Sequence, residues 1–207
     1  MIELALGSNV IELLIPHRRP LAMVDGVAGF ERAPHAAVAT FRHVSANEPI
    51  FEGHFPGLSL WPGVYTIEGM GQTVNILLVL DGVVREYEKR GGSEADALEG
   101  LRNLERGYRL APGFRADKAE ALLAPLRDGS VLSRGGMTAA VDVKLLRPVF
   151  AGQRIDYRAM LTHTVESLVR CEVSAEVDGQ LVAKGTMSST LGIPIARIAA
   201  PRESPSR

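Results

Sequence analysis

Three residues close together in the sequence are of the types that move protons beside a carbonyl. His54 lies in Phe51-Glu52-Gly53-His54-Phe55-Pro56-Gly57. The flanking glycines permit close approach of a ligand. Phe51, Phe55 and Pro56 make an apolar setting, and desolvation there would keep the imidazole neutral, the form a general base needs. An isolated loop histidine is more often structural, so it is the neighbours that favour chemistry. Glu68 lies in Ile67-Glu68-Gly69-Met70-Gly71-Gln72. A carboxylate inside an apolar helix is expensive unless it is paired, protonated or functional. A lone glutamate there is commonly salt-bridged or turned to the rim. Beside a desolvated histidine, a carboxyl with a raised pKa suits a general acid. Gly63 opens the same helix, where backbone N–H groups lack partners and favour developing negative charge. The oxygen of an enolate formed from a thioester could sit there, although a glycine needed only for packing would look the same. The three fit a β-elimination. His54 removes the proton α to the carbonyl, amides near Gly63 hold the enolate, and Glu68 protonates the departing β-hydroxyl. No metal or redox cofactor is required.

These residues need a helix and a sheet to hold them. Pro62 suits the first turn of a helix, and Val64 to Leu80 contains no further proline. The segment is apolar on nearly all sides, which predicts a buried helix. Gly69 and Gly71 within it each cost roughly 1 kcal/mol against alanine, which suggests close backbone packing. The sheet comes later. Ala139, Val141, Val143 and Leu145 alternate with polar residues, with Pro148 ending that strand or marking an edge. Val165, Val169, Cys171, Val173, Ala175 and Val177 repeat the period, and Asp178-Gly179 is a hairpin turn leading into Leu181 to Leu191. With Ile155 to Thr164 this makes an antiparallel meander with one dry face, covered by the buried helix. The fold class is α+β.

Between helix and meander the composition changes. Residues 85–128 carry 18 charges, nine of each sign. They read as two short amphipathic helices. Ser93 caps the first, whose apolar face is Leu98, Leu101, Leu104 and Tyr108. Asp117 to Ala124 form the second, stopped by Pro125. The plainer expectation is a solvated helical hairpin on the rim; a lid or partner surface is the sharper one. Residues 200–207 read as a frayed tail.

The chain has 207 residues with 23 basic and 24 acidic side chains. That balance argues against a nucleic-acid partner. Cys171 is the only cysteine, which excludes an intrachain disulfide and a cysteine-based zinc site. The first residues lack a basic n-region, and the longest apolar run, Ile76 to Leu80, falls short of a membrane span. A cytoplasmic protein with no membrane partner is expected.

Several ordered motifs carry a resemblance. They are Ile15-Pro16-His17-Arg18-Arg19-Pro20, Val24-Asp25-Gly26-Val27, Asn47 to Gly57, Trp61-Pro62-Gly63-Val64 and Ile67 to Gln72. Asp142 to Val149 with Gly152 and Asp156 extends the series. Together they resemble the β-hydroxyacyl-acyl-carrier-protein dehydratases of fatty-acid synthesis over residues 11–80 and 138–190. The resemblance implies a hot-dog fold, an antiparallel sheet wrapped around a long central helix, in a single domain over 1–207 with a charged helical insertion at about 81–135. It implies that a (3R)-hydroxyacyl thioester, carried on the phosphopantetheine of an acyl carrier protein, becomes the trans-2-enoyl thioester without a further cofactor. His54 matches the catalytic histidine, Glu68 the catalytic acid, Gln72 the glutamine that supports it, and Gly63 the oxyanion donor. Histidine and acid of one family site come from different subunits, which implies a dimer or higher oligomer. A glutamate resembles the plain dehydratases; the dehydratase-isomerases carry aspartate there.

The chain departs from the family pattern in three ways. Gly69 and Gly71 replace the usual alanines, which should widen or soften the helix packing. Trp61 replaces a methionine, and Tyr65-Thr66 replace aliphatics. With Phe55, Trp61 and Tyr65 are expected along the acyl tunnel. The insertion over 81–135 suggests a specialised lipid or polyketide pathway. Carrier proteins are acidic, so Arg18, Arg19, Lys144, Arg147 and Arg154 are candidate docking cations. The competing readings are a non-catalytic or partner-dependent subunit of a heteromeric dehydratase, a hot-dog thioesterase, and an acyl-binding protein.

Overall fold

The computed structural model describes residues 1–111 and 136–191. Seven strands form one antiparallel sheet: β1 (Ile2–Gly7), β2 (Gly26–Glu31), β3 (Ala37–His43), β4 (Met137–Leu145), β5 (Arg154–Val165), β6 (Leu168–Val177) and β7 (Gln180–Thr190). Their order is β1-β2-β3-β5-β6-β7-β4. Three helices accompany them: α1 (Ser8–Leu14), α2 (Gly63–Lys89) and α3 (Glu94–Leu110). The sheet curls around α2, whose Met70, Val74, Ile76, Leu77, Leu80, Val83 and Val84 are buried against it. This is the expected hot-dog arrangement.

The meander forms as its alternation predicts. Val169, Cys171, Val173, Ala175 and Val177 point into the core while their neighbours face out. Asp178 and Gly179 both take positive φ, the twist of a two-residue hairpin turn. Val165 lies instead at the end of β5, and the chain reverses at Glu166-Ser167. β4 forms, yet its alternation buries nothing fully. Val143 is half-covered, and Met137, Val141 and Leu145 are 60%, 48% and 52% exposed. As the last strand of the sheet it has a neighbour on one side only.

α2 runs nine residues beyond Leu80. Asp81 to Lys89 carry the charge that reads as insertion, but Val83 and Val84 keep the apolar side buried. Arg85–Asp81 and Arg90–Glu86 pairs one turn apart line the outer side. By length and composition α2 could cross a bilayer, but most of its apolar span packs inside the chain. α3 begins in a reciprocal capping box between Ser93 and Asp96. It is not a solvated rim element. Ala97, Leu98, Leu101 and Leu104 are buried against α2, α1 and β1, and its charges other than Glu105 lie toward the outer side. Buried Glu105 accepts from the Gly7 amide and so ties α3 to the start of α1. The expected second helix at Asp117 to Ala124 and the tail at 200–207 lie outside the described residues.

Candidate active site

His54 sits in the turn that follows a short 3-10 helix, Pro49–Glu52. Two anchors fix that segment on the sheet. Phe51 is buried edge-on to Trp61, with ring centres 6.2 Å apart. Arg42 of β3 donates to Asp25 and to Glu48, at the entrance of the turn. The imidazole stacks on Phe55 at 4.2 Å, and Nδ1 lies 2.8 Å from the carbonyl oxygen of Leu60. A carbonyl only accepts, so Nδ1 carries a proton, and in the neutral ring Nε2 keeps its lone pair. The expected desolvation is not found in the single chain: Phe51 is buried, but Phe55 and Pro56 are exposed and His54 is half-covered. The Leu60 carbonyl fixes the tautomer of the neutral ring.

Glu68 is also less buried than an all-apolar helix suggests. It stands on the stripe of α2 that the sheet leaves open, beside Ile67 and Gly71, and is 33% exposed. Gln72, one turn on and buried, donates to Glu68 Oε1 at 2.8 Å. The same amide donates to the Leu21 carbonyl at 2.6 Å and accepts from the Met23 amide at 2.8 Å. Gln72 therefore ties Glu68 to the segment joining α1 and β2. His17 of that segment, absent from the sequence-derived site, places Nε2 3.6 Å from Glu68 Oε1. Burial lowers its pKa below the ordinary histidine value, with Glu68 pulling upward and Arg18 downward.

Gly63 is the first residue of α2, after Pro62. The Tyr65 amide closes the first turn onto the Pro62 carbonyl, leaving the Gly63 and Val64 amides as the open donors of that terminus. A side chain at Gly63 would collide with Leu145 of β4, so the glycine also serves packing. Trp61 is buried, edge-to-face with Tyr65 at 5.3 Å and with the Arg42 guanidinium over its ring at 5.8 Å. Phe55 lies exposed at the loop tip. A cavity of about 610 Å³ opens between α1 and the end of β3, beside His17 and Gln72, but Phe55, Trp61 and Tyr65 do not line it. Gly69 does not widen the packing. Its missing methyl is replaced by the Tyr157 ring of β5, whose hydroxyl lies where a Cβ would fall. At Gly71 the expected room exists, since only Thr138 Oγ1 comes within 4.0 Å of a Cβ there.

The docking cations do not form one patch. Arg18 is spent on the end of α1, donating to the carbonyls of Glu12, Ile15 and His17. Arg19 is exposed. Lys144 lies on β4 directly opposite Lys184, Arg147 donates to Gln180, and Arg154 pairs with Asp156 above the Phe41 ring. Among the described residues, no hydrogen bond or ion pair joins His54 to Glu68.

Comparison with known proteins places this geometry. A family model described as FabA-like domain matches residues 15–97. The 3-hydroxyacyl-[acyl-carrier-protein] dehydratase FabZ of Nitratiruptor sp. is 31% identical over 144 residues, 66% of this chain and 93% of that protein. The protein of the same name from Erwinia tasmaniensis is 30% identical over 179 residues, 86% of this chain and 87% of that one. Among solved structures, a chain of the dehydratase heterocomplex ApeI:P from Xenorhabdus doucetiae superposes with a TM-score of 0.53 at 15% identity, covering 93% of this chain and 97% of that one. That likeness supports the fold. Sequence and fold together show that the chain belongs to the FabZ family of 3-hydroxyacyl-[acyl-carrier-protein] dehydratases.

Proposed function

We propose that this protein dehydrates a (3R)-hydroxyacyl thioester on an acyl carrier protein to the trans-2-enoyl thioester. His54 Nε2 takes the proton from the α-carbon. The electron pair moves onto the thioester oxygen, which the Gly63 amide at the start of α2 stabilises. Return of that pair forms the α,β double bond and expels the β-hydroxyl, which takes a proton from Glu68 and leaves as water. Transfer of the proton from His54 to Glu68 resets the site. The observation that carries the reading is the Leu60 carbonyl on His54 Nδ1, which presents Nε2 as a base. The chemistry asks only for proton transfer, so the proposal assigns no cofactor beyond the carrier's phosphopantetheine, and it places the reaction in the cytoplasm.

The reading includes a second copy of the chain, with His54 of one protomer meeting Glu68 of its partner. The lack of any hydrogen bond or ion pair between the two among the described residues supports this reading of two half-sites, as does the exposed apolar surface of Val64, Met137, Val141 and Leu145 around the open stripe of α2. A specialised lipid or polyketide substrate is proposed from the added charged stretch at about 81–135; restoration of full growth to a strain lacking its housekeeping dehydratase would count against it. The test of the reaction is intact mass spectrometry of a carrier protein loaded with a β-hydroxyacyl chain. The wild type removes one water and His54→Ala does not. A freed carrier thiol would identify a thioesterase, and an unchanged mass in both would favour a non-catalytic or partner-dependent subunit.

A further inference from the structure

Glu68 must deliver its proton from one oxygen only, and the structure distinguishes the two. Gln72 directs an N–H at Oε1. His17 Nε2 approaches the same oxygen at 3.6 Å, an electrostatic contact just beyond hydrogen-bond length. No hydrogen bond among the described residues engages Oε2. The other nitrogen of His17, Nδ1, is buried with no hydrogen-bond partner among the described residues. A buried N–H pointing at nothing is rare in native structures. That disfavours a proton on Nδ1 and puts it on Nε2, facing the carboxyl. We infer that His17 is a positioning residue for the dehydration. With Gln72 it makes Oε1 the accepting oxygen of Glu68 and leaves the acidic proton on Oε2, the oxygen free to meet the β-hydroxyl.

The role requires a neutral ring. An imidazolium at His17 would hold Glu68 as a carboxylate and withdraw the proton that the leaving group needs. Burial favours the neutral form, as does the positive charge of Arg18 next in the chain; Glu68 on α2 opposes both. Across the adjoining cavity the charged groups are Glu12 of α1, Arg19, and Asp25, Arg42, His43 and Glu48 at the sheet. Their signs nearly balance, which leaves Glu68 as the dominant partner of the ring.

The inference rests on the dehydratase reading, and one arm of its test does not need turnover. Nitrogen-15 NMR of the histidine side chains in the intact protein reads the His17 tautomer directly. The Nε2–H form is expected, titrating at lower pH in Glu68→Gln, because the carboxylate that raises its pKa is gone. An Nδ1–H tautomer, or a His17 indifferent to Glu68→Gln, overturns the inference. The second arm is the pH profile of kcat. His17→Gln keeps an N–H donor that does not titrate. It should retain kcat within about threefold of wild type while its acid limb becomes shallower by about one protonation. His17→Ala should lose kcat on the order of tenfold with KM unchanged. Equal losses in both variants, or none in His17→Ala, would assign the ring to packing alone. If the wild type removes no water, the dehydratase reading fails, and the tautomer alone decides whether His17 serves Glu68.

Discussion

At the β1 end of the sheet, α1 and α3 close over the last strand, whereas at the β4 end the last strand keeps its apolar side chains in solvent. The closed end is assembled from local signals. Leu4 and Leu6 alternate inward, the α1 residues Val10, Ile11 and Leu14 recur at helical spacing, and α3 lays Leu98, Leu101 and Leu104 over both. The open end has the apolar residues of an interior without the interior: Val64 on α2 is 66% exposed and Leu145 on β4 52%. Exposed, unpaired edge strands invite another chain. The difference separates two tasks. The closed end completes the fold within one chain, and the open end leaves the half-sites of His54 and Glu68 to be joined by the proposed second copy.

Mixing two dead variants would sharpen this division most. His54→Ala and Glu68→Gln should each lose about 10²–10⁴ of the rate, the usual worth of a positioned acid or base. Unfolded and refolded together in equal amounts, they should regain about one quarter of wild-type activity, because half the dimers are mixed and one of their two sites is intact. No recovery would mean that each site is built within one chain. The next effect lies at the closed end. Leu101→Ala should cost about 2–5 kcal/mol in denaturant unfolding, since Leu101 is fully buried between helices. The same variant should leave subunit mixing unchanged. If it dissociated the oligomer instead, the two ends would not be independent.

The parts of this design legible in the sequence are those with a local cause. The period-two runs of β5 to β7, the Asp178-Gly179 turn, the Ser93 cap and the apolar face of α3 follow from neighbours within a few residues. His54, Gly63 and Glu68 stand out in the sequence as residue types suited to proton transfer beside a carbonyl, whereas Gln72 is reached only through the family resemblance. What escaped depended on distant partners. The tautomer of the neutral His54 ring comes from a backbone carbonyl, which no side-chain pattern announces. Glu68 reads as buried because the stripe of α2 that the sheet leaves open is almost as apolar as the covered side. The end of α2 is hidden by charge, although ion pairs one turn apart and buried Val83 and Val84 carry the helix through to Lys89. His17 gives no signal beyond its motif; its contact with Glu68 exists only because Gln72 binds the loop to the helix.

Gly69 offers the finest test, because it lies within a few residues of Glu68 yet belongs to the covered side. Sequence alone suggests a loosened helix there. Instead Tyr157, wholly buried, fills the place of a methyl, and burial pushes its phenol pKa up. Gly69→Ala should therefore destabilise by about 1–3 kcal/mol through overpacking, despite the better helix propensity of alanine. Tyr157→Ile in the same chain removes the obstructing ring and should recover most of that loss in denaturant unfolding. A glycine kept only for looseness would behave oppositely: alanine would stabilise the helix and Tyr157→Ile would add nothing. Recovery by the pair would show that the helix beneath the acid is held by a fitted contact with β5, so that its covered side is rigid while its open side stays available to a partner.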